Sequence, residues 1–121
     1  MARYGLIGRS LEHSFSQRYF TEKFQRESLT TARYDLFELA EITELPGLIA
    51  DTPGLLGLNV TIPYKQAVIP YLSALDPVAA AVGAVNTIAI HPDGRTTGHN
   101  TDVEGFRAML APLLERLAKR D

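Results

Sequence analysis

The sequence predicts an α/β domain, a three-layer sandwich with a mixed, mainly parallel sheet and helices on both faces. Three observations carry this expectation. Short apolar runs alternate with amphipathic stretches over the first 72 residues, the pattern of strands joined by crossover helices. A turn at His91-Pro92-Asp93-Gly94 separates two further β-type runs and adds an antiparallel pair. One long apolar stripe at helical spacing closes the chain. With 121 residues the chain is one domain by length and buries roughly two-thirds of its unfolded surface.

Each element has its own signal. Arg3 to Gly8 is a short apolar run closed by glycine and reads as a buried strand. Phe15, Tyr19, Phe20 and Phe24 recur at helical spacing, so about 15–27 reads as a helix, with Ser14 or Ser16 as its N-cap. Ala32 to Leu39 reads as the second strand. Ile42, Leu45, Leu48 and Ile49 give a second helix, with Pro46 in its first turn, where proline is tolerated. After the turn at Thr52-Pro53-Gly54, Leu55 to Val60 is the third strand. Tyr64 to Leu72 is a short helix interrupted at Pro70. Asp76-Pro77 opens another, with Asp76 as cap, and Gly83 ends it. Ala84 to Ile90 is a strand, and Arg95 to Gly98 returns as its hairpin partner. Val103, Phe106, Met109, Leu110, Leu113, Leu114 and Leu117 line one face of a final helix over about 102–119, with Pro112 inside it.

Composition removes several function classes. Twelve basic and fourteen acidic residues leave a net charge of −2, which argues against nucleic acid as the main partner. No apolar run reaches 18 residues, so no membrane span is expected. The N-terminus lacks the charged and apolar regions of a secretory signal, and cysteine is absent. Cytoplasm is therefore the expected compartment. The glycines stand at 5, 8, 47, 54, 57, 83, 94, 98 and 105, and no two are spaced by one residue. A dinucleotide fingerprint needs that spacing, so no Rossmann phosphate loop is expected here. His13, His91 and His99 share no helical ligand spacing, so no metal site is expected.

The polar residues that remain cluster where the predicted strands end. They are Ser14 and Ser16 after the first strand, Thr61 and Lys65 after the third, Asn86 and Thr87 in the fifth, and Asn100 to Asp102 after the hairpin. Open α/β sheets bind ligands beyond the carboxyl ends of their strands, so these segments could share one pocket. Each has a plainer reading. Lys65 sits in an apolar run and could simply extend to water, or it could serve as a general acid or base. Asp102 fits a capping box, with Thr101 as N-cap and Glu104 reaching back. Ser14 and Ser16 read first as helix caps and second as a pair of hydroxyls that hold a carboxylate. Asn86 could satisfy a neighbouring backbone group. His13 and His99 read as structural or solvent-facing.

Four segments in a fixed order carry a resemblance: His13-Ser14-Phe15-Ser16, Asn59-Val60-Thr61-Ile62-Pro63-Tyr64-Lys65, Gly83-Ala84-Val85-Asn86-Thr87 and Asn100-Thr101-Asp102. Together they resemble the N-terminal, substrate-binding domain of shikimate dehydrogenase, and they cover essentially the whole chain. The resemblance implies reduction of 3-dehydroshikimate to shikimate with NADPH, on the route to chorismate and the aromatic amino acids. It implies that Ser14 and Ser16 bind the substrate carboxylate, that Thr61 and Asn86 bind ring hydroxyls, and that Lys65 and Asp102 form the catalytic dyad. Two positions depart from the family pattern. Gln17 stands where proline is common and His99 where aspartate is frequent; neither is a position assigned to the chemistry.

Family members are about twice as long and carry a Rossmann domain for NADP(H). The resemblance therefore implies residues 1–121 as the substrate domain, ending in a linker helix over about 102–119, with the cofactor domain absent and the chain alone inactive. Apolar surface left uncovered in this way would suit a homodimer. The expected partner is the small-molecule substrate, shikimate or 3-dehydroshikimate, with no nucleic acid, membrane or metal. A quinate/shikimate dehydrogenase domain and a non-catalytic shikimate- or quinate-sensing module are the alternatives. Retention of both Lys65 and Asp102 favours the enzyme, because sensing needs no proton donor.

Overall fold

A computed structural model describes residues 2–9, 11, 21–23 and 32–100. Strand β1 (Ala2–Gly8) is buried from Tyr4 onward, as a central parallel strand flanked on both sides should be. It pairs in parallel with β2 (Ala32–Glu38) and with β3 (Leu55–Val60). Beyond β3 the direction changes. β3 pairs antiparallel with β5 (Thr87–Ile90), and β5 antiparallel with β6 (Thr96–His99). The two-residue β4 (Ala74–Leu75) runs parallel to β6. The six strands lie in the order β2-β1-β3-β5-β6-β4, a mixed sheet with three parallel pairings and two antiparallel ones. The expected α/β class and mixed sheet are both present.

The described helices are short. A 3-10 turn (Ile42–Glu44) runs into α1 (Leu45–Asp51), with Pro46 in its first turn as anticipated. Helix α2 (Tyr64–Ala67) is followed by a 3-10 turn (Ile69–Tyr71) at Pro70. Helix α3 (Pro77–Val82) ends at Gly83, whose φ of 76° is the left-handed conformation that glycine adopts without steric cost. One apolar cluster joins these helices to the sheet. Ile7, Leu58, Val60 and Ile88 cluster with Leu45 of α1, Tyr64 of α2, Val68 just after α2, and Ala79 of α3. Residues 21–23 are helical; the rest of the expected helix over 15–27 and all of the one over 102–119 lie outside the described residues.

Two strand expectations needed correction. The fifth strand begins at Thr87, not Ala84. The backbone of residues 84–86 is used elsewhere: Val85 N–H donates to the Lys65 carbonyl at 2.7 Å, and Asn86 N–H donates to the His99 carbonyl at 3.0 Å. Strand β4 was not anticipated. Two residues show no periodicity, and β4 is held by its flanks, with Ser73 N–H donating to the Thr96 carbonyl and Asp76 N–H to that of Gly98.

Asp76 caps α3 as expected, accepting from Ala79 N–H at 2.7 Å, and it also meets His99 Nδ1 at 2.9 Å. These contacts hold its carboxyl below the ordinary value of 3.8, the Ala79 amide contributing most and His99 next among the lowering contacts. A depressed folded-state pKa gives stability that is present above pH 3.8 and lost as pH falls through the folded value. Asp76→Ala is expected to cost about 1 kcal/mol at pH 7, the usual worth of an N-cap, and less at pH 3. Urea denaturation at both pH values checks this. An equal loss at the two would contradict it.

Candidate active site

The crevice follows from the strand order. The chain leaves β1 for β2 on one side and comes back to β3 on the other, so the switch point lies between β1 and β3. Ligands of open α/β sheets bind beyond the carboxyl ends of the strands at that point. Because β5 is antiparallel to β3, its start lies at the same end, with Thr87 opposite Asn59. Because β6 is antiparallel to β5, its end lies there too, with His99 opposite Thr87. The end of β1, the end of β3, the start of β5 and the end of β6 thus converge.

Thr61 stands at the switch point. Its N–H donates to the Ile7 carbonyl at 3.0 Å, continuing the β1–β3 pairing, and its carbonyl accepts from Tyr64 N–H at 3.0 Å, which starts α2. Gly8 makes room for it. A Cβ on Gly8 would lie 2.6 Å from Thr61 Cγ2 and 2.8 Å from Leu11 Cδ2. Leu11 N–H in turn donates to Glu38 Oε1 at 3.0 Å, which ties the segment after β1 to the end of β2.

Lys65 is exposed, on the first turn of α2. Its neighbour Tyr64 is the anchor of that turn. The Tyr64 ring is buried in the core cluster, and its hydroxyl donates to the Leu39 carbonyl. The Arg9 guanidinium lies over the same ring, 5.7 Å from its centroid. Arg9 after β1 and Lys65 after β3 thus bring two cations to the same end of the sheet, an arrangement suited to an anionic ligand. Lys65 also borders an open depression of about 290 Å³ with Ile62, Pro63, Gln66 and Ala84. The Ile62–Pro63 peptide is cis.

Asn86 is half-buried, and both polar groups of its backbone are hydrogen-bonded. Its carbonyl accepts from Val60 N–H at 2.8 Å and its N–H donates to the His99 carbonyl. Asn100 secures the same loop from β6, its side-chain amide donating to the Ala84 carbonyl at 3.0 Å. His99 pairs with Asp76, in line with the structural reading of that histidine. Of the sequence-predicted site residues, Thr61, Lys65 and Asn86 fall at this one end of the sheet. Ser14, Ser16 and Asp102 lie outside the described residues.

Sequence reasoning missed Tyr34. Its hydroxyl donates to Asn59 Oδ1 at 2.8 Å, and Asn59 Nδ2 meets Thr87 Oγ1 at 3.5 Å. A tyrosine in a strand is ordinary, and only the register of β2, β1 and β3 brings it to Asn59. Among the described residues no helix is long and apolar enough to cross a membrane, and no group of His, Asp and Glu gathers in a metal-binding arrangement.

Comparison with known proteins places the fold in a family. The family model described as the shikimate dehydrogenase substrate-binding domain matches residues 6–88. An NADP(+) shikimate dehydrogenase of Pelodictyon phaeoclathratiforme is 41% identical over 115 residues, which cover 93% of this chain and 40% of that protein. A quinate/shikimate dehydrogenase (NAD(+)) of Corynebacterium efficiens is 60% identical over 57 residues, or 47% of this chain and 20% of its own. The crystal structure of a Listeria monocytogenes shikimate 5-dehydrogenase in complex with shikimate and NAD superposes with a TM-score of 0.74 at 35% identity. It covers 93% of this chain and 38% of that one. The chain spans about 40% of the length of the curated relatives it matches. With the matched segment running from β1 into β5, the chain belongs to the shikimate dehydrogenase substrate-binding domain family.

Proposed function

We propose that this chain supplies the substrate site and catalytic dyad of a shikimate dehydrogenase that reduces 3-dehydroshikimate to shikimate with NADPH. The observation that carries the reading is the convergence of Thr61, Lys65 and Asn86 at the switch point of a sheet whose family is shown. Reduction of a ring ketone places negative charge on its oxygen. The Lys65 ammonium stabilises that charge and delivers the proton. Asp102 keeps Lys65 charged and in place. Ser14 and Ser16 hold the substrate carboxylate, and Thr61 and Asn86 hold ring hydroxyls.

The residues here do not fit the nicotinamide cofactor. No two glycines have the spacing of a phosphate loop, and the space beside Gly8 is filled by Thr61 and Leu11. No step is therefore assigned to NADPH within this chain, and the 121 residues alone are expected not to turn over. The cytoplasm is the proposed compartment.

Titration of shikimate into isotope-labelled protein tests the reading. Amide shifts are expected to cluster at Ser14, Ser16, Thr61, Lys65, Asn86 and Asp102, and Lys65→Ala is expected to diminish them. A folded spectrum without shifts at millimolar shikimate would overturn the assignment of this ligand. Oxidation of NADPH by the pure chain with 3-dehydroshikimate would overturn its inactivity.

A further inference from the structure

The end of β6 is held from both ends of α3. Asp76 N–H donates to the Gly98 carbonyl at 2.8 Å, and the Asp76 carboxylate meets His99 Nδ1 at 2.9 Å. Past the other end of α3, the Ala84 carbonyl accepts from the Asn100 side-chain amide at 3.0 Å. Between these two ties, the His99 carbonyl accepts from Asn86 N–H at 3.0 Å. Residues 98–100 are thus bracketed by α3 and by the loop that carries Asn86. Asp102 follows Asn100 by two positions in the sequence. The two oxygens of Asp76 have separate tasks. Oδ1 accepts from Ala79 N–H at 2.7 Å and caps α3, whereas Oδ2 faces His99. An ionised carboxylate only accepts, so His99 Nδ1 carries the proton and donates. The bond is charge-assisted and partly shielded, with 23% of the Asp76 side chain and 31% of the His99 side chain exposed. Capping needs one oxygen; the second serves β6.

We propose that Asp76, acting through His99, is a positioning residue of the ligand site: its second carboxylate oxygen fixes residues 98–100 against the Asn86 loop and so sets the course of the chain toward Asp102. The β5–β6 register ends at His99 and the β4–β6 register at Gly98, so the direction of the chain beyond the sheet has to come from side chains. Asp76 and Asn100 supply it from opposite ends of one short helix. Loss of the Asp76–His99 bond frees His99 to shift, and its carbonyl is the partner of Asn86 N–H. Asn86 on one side and Asp102 on the other then lose their common reference. The ligand part of this inference rests on the shikimate reading; the bracket itself does not, and the test separates them.

Asp76→Ser keeps a capping oxygen for Ala79 N–H, since serine caps as well as aspartate, but has no second oxygen for His99. His99→Phe keeps a ring and removes the donor. Hydrogen exchange is read first, without ligand. The Ala79 amide is expected to stay protected in both variants, and the Asn86 amide to exchange about tenfold faster. In the unaltered chain at pH 8, nitrogen-15 spectra are expected to show a proton on His99 Nδ1; an unprotonated Nδ1 would overturn the proposal. With shikimate, each variant is expected to bind about fivefold more weakly, and the double variant no more weakly than either, because both remove one contact. Additive losses would reveal two separate structural effects and overturn it. Unchanged Asn86 exchange or undiminished affinity in the folded variants would do the same. If either variant does not fold, the other decides by exchange and affinity. If the unaltered chain does not bind shikimate, the functional reading fails, and Asn86 exchange still decides the bracket.

Discussion

Tyr64→Ala is expected to destabilise the domain by about 3–5 kcal/mol, the range for removing a buried aromatic side chain. The ring belongs to the core cluster with Leu39, Leu45 and Val68, and the Arg9 guanidinium lies over it. Its hydroxyl satisfies the carbonyl of Leu39, just after β2. Tyr64→Phe isolates this last contribution and is expected to cost about 1–3 kcal/mol, the cost of leaving a buried acceptor unpaired. Urea denaturation followed by circular dichroism measures both. Because Tyr64 precedes Lys65 on α2, the alanine variant is also expected to loosen the lysine. Equal stability of Tyr64→Ala and the unaltered chain would show that α2 is not anchored through this ring.

The second large effect is expected at Gly8. A methyl group there meets Thr61 Cγ2 at 2.6 Å and Leu11 Cδ2 at 2.8 Å, well inside van der Waals contact. Gly8→Ala is expected to destabilise by about 1–3 kcal/mol, the cost of overpacking, and to displace Thr61 from the switch point. On the proposed function this weakens shikimate binding along with stability. Gly47→Ala is the control, since a Cβ at Gly47 meets nothing within 4 Å. Amide spectra in which Thr61 keeps its position in Gly8→Ala would contradict the steric account.

The strands with the strongest apolar or turn signals were legible from the sequence. Leu55 to Val60 was bounded by Gly54 and Pro63, and β3 has those bounds. The Asp76-Pro77 start and Gly83 stop of α3 were also legible, because capping is local chemistry. The start of β5 was not. Val85 looks like strand from its apolar neighbours, but its N–H is claimed by the Lys65 carbonyl, a partner 20 positions away. That Thr61 and Lys65 follow β3 and that Asn86 precedes β5 was legible, because each lies within a few residues of an apolar run. The bond from Tyr34 to Asn59 escaped because it depends on the registers of β2, β1 and β3 together, and no single segment encodes that.

The two outer strands of the sheet carry a consequence for self-association. Unpaired N–H and C=O groups along a sheet edge are a template for adding another chain. At one edge β4 offers only two residues, too few for a stable ladder. At the other edge β2 carries Arg33, Asp35 and Glu38, with Arg33 exposed and bound to Asp35 at 2.8 Å. Both edges are thereby blunted, one by brevity and one by charge. Addition of a further strand at either of these two edges is therefore disfavoured.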